Sequence, residues 1–194
     1  MRKMEFLLRL DSILFAWLNG FAGRSLQLDR FFAYSAEYVI FAIVAGVLFF
    51  LLKKTAREKI LVLTAFCGAV VGRFVFVLLL RLLEFRARPF VNGGVHQLLP
   101  HDPAEASFPS GHTTVMFAIA FAVFAYDRGW GTIFLLVSLW SAVARIVSGV
   151  HFPLDIAGGI FVGLISFLIS RKLTQHFYRR FFVPAEISAT MQKP

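Results

Sequence analysis

FFAYSAEYVIFAIVAGVLFFLL occupies residues 31–52 and contains a single charged side chain, Glu37. A helix that crosses a bilayer needs about 20 mostly apolar residues, so this stretch predicts a transmembrane helix. Further apolar segments follow at about residues 60–83, 112–126, 130–150 and 153–170. The sequence therefore predicts an all-α integral membrane helical bundle with five transmembrane helices.

The stretch before the first span is of mixed character. Apolar residues recur at helical spacing through residues 1–22, but charged residues interrupt them. We interpret this stretch as an amphipathic N-terminal helix that lies in the membrane interface, and a sixth transmembrane helix is the alternative. Residues 1–194 are expected to form one membrane-embedded domain, with 181–194 as a cytoplasmic tail.

The charge of the chain needs an explanation, because the formal net charge is +9 at pH 7. A basic chain can bind nucleic acid. However, 58% of the residues are hydrophobic, only 16% are charged, and the basic residues gather at the ends of apolar segments, as in membrane proteins. We therefore expect membrane lipids, and no nucleic acid, as partners.

The basic residues also predict the orientation of the bundle. Lysines and arginines crowd residues 53–59, recur at Arg128 and follow the last span at 171–180. The positive-inside rule makes these regions cytoplasmic. The segments 84–111 and 151–155 then face outward.

The outward segments contain arginines, against the positive-inside trend. RLLEFRARP, residues 81–89, places Arg81 and Arg88 seven positions apart. Seven residues are nearly two helical turns, so both arginines are expected on one face of a helix that ends near Pro89. They either bind an anionic substrate or snorkel at a helix end.

A second segment, FPSGH at residues 108–112, precedes an apolar helix. Ser110 is the expected N-cap. A helix N-terminus with free N–H groups and a nearby glycine is a ready anion site, and His112 could exchange a proton with a bound anion. An ordinary capped helix start is the alternative.

A third segment, RIVSGVHFPLD, covers residues 145–155. Pro153 suits the first turn of a helix, so Asp155 can reach back toward His151. A carboxylate that fixes the imidazole tautomer makes the other ring nitrogen a better nucleophile or base. A helix-capping aspartate beside an incidental histidine is the alternative.

Together the three segments supply three arginines, two histidines and a carboxylate on one side of the membrane. That set suits phosphoryl transfer without a metal. Histidines also bind metals, but the sequence contains no HExxH and no closely spaced acidic pair among its histidines. We therefore expect no metal and no cofactor.

The order and spacing of these segments resemble the signature of the type 2 phosphatidic acid phosphatase (PAP2) superfamily: K-x6-RP, PSGH and SR-x5-H-x3-D. The matching residues are Arg81, Arg88, Pro89, Pro109, Ser110, Gly111, His112, Arg145, His151 and Asp155. Two positions depart from the signature. Arg81 replaces the lysine, which exchanges a point donor for a fork, and Ala144 replaces the serine before Arg145.

Within the superfamily, the stretch at residues 88–114, together with AEYVIF at 36–41, looks most like the undecaprenyl-diphosphatase branch. That resemblance implies a lipid substrate, undecaprenyl (polyprenyl) diphosphate, which is cleaved to the monophosphate and phosphate. It also implies a bacterial inner-membrane protein whose active site faces the periplasm.

The resemblance further implies a role for each site residue. His151 attacks phosphorus and forms a phosphohistidine, while Asp155 orients it. His112 protonates the leaving oxygen and then activates water. The phosphoryl oxygens are held by Arg81, Arg88, Ser110, Gly111 and Arg145.

Three further charged residues need a function. We expect Arg86, beside Arg88, to neutralise a second phosphate, although it could also snorkel to headgroups. Glu37 lies at a depth comparable with Arg81, which predicts a supporting ion pair between them. Arg73 lies near the middle of its span and must find a partner.

Other functions remain open at this point. The nearest is another PAP2 phosphatase, acting on phosphatidic acid, phosphatidylglycerol phosphate or lipid A. A non-catalytic lipid transporter or scaffold is a different class, although a binder needs neither His112 nor the pair His151 and Asp155. Haloperoxidase-like use of the site with vanadate is the third, and the apolar spans favour a lipid substrate instead.

Overall fold

The computed structural model describes residues 2–53 and 55–182, and these residues form helices without any strand. The α-helices are α1 (Arg2–Asn19), α2 (Leu26–Phe49), α3 (Ala56–Val71), α4 (Val77–Leu83), α5 (Gly111–Tyr126), α6 (Arg128–Val147) and α7 (Pro153–Phe182). Short 3-10 helices occupy Phe50–Lys53 and Pro89–Asn92. A π-helical turn at Gly72–Phe76 joins α3 to α4.

Four of these helices are long and apolar enough to cross a membrane: Leu26–Leu52, Ala56–Leu83, Arg128–Val147 and Pro153–Tyr178. The fifth predicted span, α5, has only 16 residues. It lies at the centre of the bundle, where it packs against α3, α6 and α7, and most of its residues are buried. The expected integral membrane helical bundle is therefore confirmed, with a short helix inside a ring of longer ones.

The N-terminus of α5 lies deep within the bundle. A Cβ atom on Gly111 would lie 3.1 Å from Arg73 Cδ, so the two residues are level. At about 1.5 Å per residue, Arg73 lies about 25 Å from the start of α3 at Ala56 and about 15 Å short of Leu83. The first turn of α5 is therefore sunk below the end of the bundle that carries segments 84–110 and 148–152, which we term the motif end.

Helix α1 packs against the motif end through a narrow polar stripe. Asp11 and Asn19 are buried on either side of Phe15, at the spacing of one helix face. Asp11 accepts a hydrogen bond from the N–H of Leu154 at 2.8 Å, and the Asn19 side chain donates to the carbonyl of Val147 at 2.9 Å.

The rest of α1 exposes large apolar residues, including Phe6, Ile13 and Trp17. Because α6 ends at Val147 and α7 begins at Pro153, contacts to both of those ends place α1 across the motif end. This arrangement agrees with the amphipathic interpretation, and α1 is not among the four helices that qualify as spans.

One predicted helix boundary is wrong. The helix that carries Arg81 ends at Leu83, because Glu84 is extended (φ −142°, ψ 119°), so Arg81 and Arg88 do not share a helix face. At the other end of the chain, α7 continues through Phe182, so its last two residues overlap the start of the expected cytoplasmic tail at 181–194. Residues 183–194 of that tail lie outside the described residues.

Candidate active site

His151 lies in the short segment between α6 and α7 and is 1% exposed. Its Nδ1 atom is 3.4 Å from Ser107 Oγ and 3.5 Å from Asp155 Oδ2. A ring held at Nδ1 presents Nε2 as the nitrogen free for chemistry.

Asp155 is 0% exposed and is held from several directions. Its Oδ2 accepts a 2.8 Å hydrogen bond from the N–H of Phe152 and a short one from Ser107 Oγ. Its Oδ1 accepts a 2.7 Å hydrogen bond from Arg86. Each carboxylate oxygen is thus fixed by donors, which fixes the His151 ring in turn.

Burial keeps His151 neutral. Removal from water, followed by the repulsion of Arg145, outweighs the favourable contact with Asp155 and lowers the pKa of His151 to about 3. A buried imidazole with a depressed pKa stays unprotonated at neutral pH. Its Nε2 lone pair is therefore available for attack on an electrophile.

The three arginines of the predicted site converge beside this histidine, since Arg88 and Arg145 both act electrostatically on it and Arg81 acts on Arg145. Each arginine is anchored to a backbone carbonyl: Arg81 to Pro109 at 3.3 Å, Arg88 to Val150 at 3.2 Å and Arg145 to Ala36 at 3.1 Å. In each of them the buried Nε–H has no acceptor among the described residues. Buried donors without acceptors are rare in folded proteins, and a phosphoryl oxygen would satisfy them.

Two side chains of segment 84–110 complete the arginine cluster. Arg88 donates to Glu105 Oε2 at 3.0 Å, and Glu105 is half-exposed, so solvent weakens this ion pair. Burial nevertheless lowers the pKa of Arg88. His101 Nε2 lies 3.2 Å from an Arg145 nitrogen, and burial, then Arg88 and Arg145, lower the pKa of His101.

Helix α5 begins beside the cluster. Its first backbone hydrogen bond runs from Thr114 N–H to the carbonyl of Ser110, so the amides of Gly111, His112 and Thr113 have no acceptor within the helix. Ser110 occupies the N-cap position, but its side chain makes no capping hydrogen bond and instead accepts one from Thr113 Oγ1 at 3.0 Å.

Close packing of α5 on α7 joins the second motif to the third. A Cβ atom on Gly159 would lie 2.8 Å from the Ser110 carbonyl, a distance that only glycine allows. The N–H of Ser110 donates to the carbonyl of Asp155 at 3.1 Å. His112 follows directly and acts electrostatically with His151 and Arg145.

Two predicted roles do not fit the structure. Both terminal nitrogens of Arg86 engage carboxylates, those of Asp155 and Asp11, so Arg86 supports Asp155 and its fork is committed to the protein's own carboxylates. The expected pair between Glu37 and Arg81 is also absent among the described residues. Glu37 instead acts electrostatically on Arg145, because α2 packs against α6.

Several site residues were not anticipated from the sequence. Ser107, Asp11, Glu105 and His101 lie outside the motif positions, and the sequence gives no spacing that joins them to residues far along the chain. One signal existed for Asp11, a carboxylate on the otherwise apolar side of an amphipathic helix. For Ser107, only its position two residues before the PSGH segment was available.

The PAP2 superfamily model matches residues 63–179. Undecaprenyl-diphosphatase BcrC of Bacillus subtilis is 34% identical over 152 residues, covering 78% of this chain and 78% of that protein. Lipid A 4'-phosphatase of Porphyromonas gingivalis is 32% identical, covering 84% of this chain and 72% of that protein.

A solved structure matches as well. The crystal structure of Aquifex aeolicus LpxE has a TM-score of 0.68 and 29% sequence identity, and the match covers 84% of this chain and 95% of that one. The resemblance first read from the three motifs is thereby confirmed, including its undecaprenyl-diphosphatase relatives. The chain is a membrane-embedded phosphatase and belongs to the PAP2 superfamily.

Proposed function

We propose that the protein hydrolyses a polyprenyl diphosphate to the monophosphate and phosphate, with undecaprenyl diphosphate as the main substrate. The reaction passes through a phosphohistidine on His151 and takes place at the periplasmic face of the bacterial inner membrane. One observation carries the proposal. A neutral histidine fixed through Nδ1 lies beside three arginines whose buried Nε–H groups have no acceptor among the described residues.

In the first step, the Nε2 lone pair of His151 forms a bond to the terminal phosphorus. The bond from that phosphorus to the bridging oxygen breaks, and its electron pair leaves with the lipid monophosphate. His112 can supply a proton to the departing oxygen. Asp155 compensates the positive charge that develops on the His151 ring, a role its fixed position favours.

Arg81, Arg88 and Arg145 stabilise the charge spread over the three equatorial oxygens of the transition state. Anchoring to backbone carbonyls holds the guanidinium groups in place beforehand. Arg81 stands where the superfamily signature has a lysine. An arginine suits this position, since its fork can donate to a carbonyl and to an oxyanion together.

In the second step, water attacks the phosphohistidine and His112 accepts the proton of that water. The bond between Nε2 and phosphorus breaks, and the electron pair returns to the His151 ring. Phosphate leaves and the neutral histidine is restored. No residue of this cycle requires a metal.

Phosphate release by the purified protein tests the activity. We expect undecaprenyl diphosphate to give the highest kcat/KM in a panel that also contains the matching monophosphate, phosphatidic acid, phosphatidylglycerol phosphate and lipid A. Activity should persist in excess EDTA and fall with vanadate. Loss in EDTA with recovery on adding Zn²⁺ or Mg²⁺ would reassign the histidines as metal ligands.

Sidedness needs a separate experiment. In a Cys67→Ser background, Gly94→Cys should react with an impermeant thiol reagent in intact cells, while Arg128→Cys should be protected. Labelling of Arg128→Cys alone would place the site in the cytoplasm and refute the periplasmic assignment.

A second candidate substrate is lipid A, because a lipid A 4'-phosphatase is similar over most of the chain. The same site would serve, since only the group that carries the phosphate differs. The panel decides between the two: faster phosphate release from lipid A than from the polyprenyl diphosphate would favour this alternative.

A further inference from the structure

A groove of about 670 Å³ runs along the side of the bundle between α2, α3 and α5. Its lining is apolar except for two cations, Lys59 and Arg73. These residues lie about 21 Å apart along the helix, at about 1.5 Å per residue. An apolar groove of this kind, on a face of large exposed apolar side chains such as Phe66 and Phe74, suits a hydrocarbon chain.

The groove leads to the first turn of α5. Val115 and Ile119 line it, and they follow Gly111 at intervals of four residues, along one helix face. His112 is three residues before Val115. A chain lying in the groove therefore ends beside His112, where the leaving group of the proposed reaction must emerge.

Arg73 lies at the junction of the groove and the active site. Its Cδ and Nε atoms would both be 3.1 Å from a Cβ atom on Gly111, so its side chain lies against the glycine that begins α5. It acts electrostatically on Arg81 and His112. The π-helical turn at Gly72–Phe76 begins one residue before it, and such turns are frequent at functional sites.

The charge of Arg73 is uncompensated by the described part of the chain. No carboxylate of the described residues forms an ion pair with it. Its guanidinium carbon lies 5.6 Å from the centre of the neighbouring Phe74 ring, a cation–π contact. A cation at membrane depth without a counter-ion indicates an anionic ligand.

We propose that Arg73 binds the lipid-bearing phosphate of the diphosphate substrate and that the groove between α2, α3 and α5 takes its prenyl chain. This inference rests on the proposed function and deepens it. Arg81, Arg88 and Arg145 then hold the terminal phosphate, which is transferred. Arg73 fills the role that the sequence had suggested for Arg86.

The order of groups matches the direction of the reaction. With this assignment His151 would attack the terminal phosphorus from one side, and Arg73 and His112, at the end of the groove, would face the bridging oxygen on the other. When the bond to the bridging oxygen breaks, its electron pair stays on the lipid phosphate. Arg73 stabilises that added charge, so less proton transfer from His112 is needed.

The test compares Arg73→Met with Lys59→Met, which removes the other cation of the same groove. Substrates are undecaprenyl diphosphate and undecaprenyl monophosphate. We expect Arg73→Met to lower kcat/KM for the diphosphate about 10- to 100-fold more than for the monophosphate, as for loss of a charged hydrogen bond. Lys59→Met should leave the ratio of the two values unchanged. Arg73→Lys should restore part of the ratio.

A thermal unfolding midpoint and a gel-filtration profile equal to those of the wild type demonstrate correct folding of Arg73→Met. Equal losses on both substrates in Arg73→Met and in Arg73→Lys would overturn the assignment of Arg73, and the proposed function would stand. A wild-type protein that releases no phosphate from the diphosphate would overturn both.

The assignment of the groove to the prenyl chain is tested separately with Ala69→Phe, which narrows the groove without changing its charge. We expect a lower kcat/KM for undecaprenyl diphosphate and an unchanged value for dimethylallyl diphosphate, whose five-carbon group is too short to pass Ala69, about 6 Å from Arg73 along the helix. Equal values for the wild type and Ala69→Phe on the long-chain substrate would exclude the groove as the chain site.

Discussion

The two halves of the active site differ in how completely their polar atoms are satisfied. Around Asp155, both carboxylate oxygens accept hydrogen bonds, from Ser107, Arg86 and the N–H of Phe152. Around the arginines, three buried Nε–H groups have no acceptor among the described residues. The first half is complete without a ligand, whereas the second half has donors to spare.

This difference separates positioning from binding. A saturated carboxylate cannot rotate, so the His151 ring is oriented before substrate arrives. Arginines that repel one another and keep spare donors gain most when an anion enters, because the anion both pairs and neutralises them. Substitutions in the two halves should therefore have different kinetic signatures.

The largest effect is expected for His151→Ala. Loss of the covalent nucleophile should lower kcat at least about 1,000-fold, measured as phosphate release in detergent. His176→Ala, an exposed histidine on α7, is the matched control and should retain activity. Retention of more than about a tenth of wild-type activity in His151→Ala would rule out the nucleophile role.

Next in size is Arg145→Ala, in the half with spare donors. It removes a buried donor to the phosphoryl group and should lower kcat/KM about 100- to 1,000-fold. Arg145→Lys should recover only part of this, because an ammonium lacks the fork. Arg128→Ala, at the other end of α6, controls for loss of charge, and a similar loss there would contradict the assignment.

A smaller effect is expected for Ser107→Ala, in the saturated half. Loss of a partner that orients the catalytic pair should lower kcat about 10- to 100-fold, with KM nearly unchanged, because no contact to substrate is removed. Ser170→Ala, another buried serine, should leave both values unchanged. A rise in KM with constant kcat would instead assign Ser107 to substrate binding.

Arg86→Ala addresses the same half from the other carboxylate oxygen. We expect kcat to fall about 10-fold for monophosphate and diphosphate alike, since Arg86 holds Asp155 and Asp11. Preference between the two lipids, measured as the ratio of kcat/KM values, should equal that of the wild type. A selective loss on the diphosphate would return Arg86 to the role first inferred from the sequence.

The smallest effect concerns pH. Because burial lowers the pKa of His151 to about 3, from about 6.5 in an unfolded chain, its ring should not titrate between pH 7 and pH 5. The neutral ring therefore stabilises the fold fully above pH 6.5, and this contribution is lost as the pH falls toward 3. NMR of histidine-labelled protein, assigned with His151→Gln, would detect a midpoint near 6.5 if the ring were exposed.

Much of this site was readable from the sequence because its motifs are local. His151 and Asp155 are four residues apart across a helix start, so local geometry alone brings them to 3.5 Å. PSGH begins α5 as expected. The geometry of the arginine motif was harder to predict, because the helix end at Leu83 depends on how segment 84–110 folds back.

Contacts between residues far apart in the sequence could not be predicted. Arg86 meets Asp11 only because α1 crosses the motif end, 75 positions away in the chain. The sequence alone indicates no partner for Arg73. In the folded chain, the close approach of Gly111 places Arg73 beside the active site. Such contacts depend on how whole helices pack, and hydropathy fixes the length of a helix but not its neighbours.

The sequence by itself thus determined the membrane bundle and the PAP2 motifs, because hydropathy and short spacings act within one or two helical turns. Only the tertiary structure decided which arginines are committed to carboxylates, how deep the first turn of α5 lies and where the apolar groove meets the site. The physical reason is that a side chain's partners are set by interhelical packing, which brings together residues that no local pattern relates.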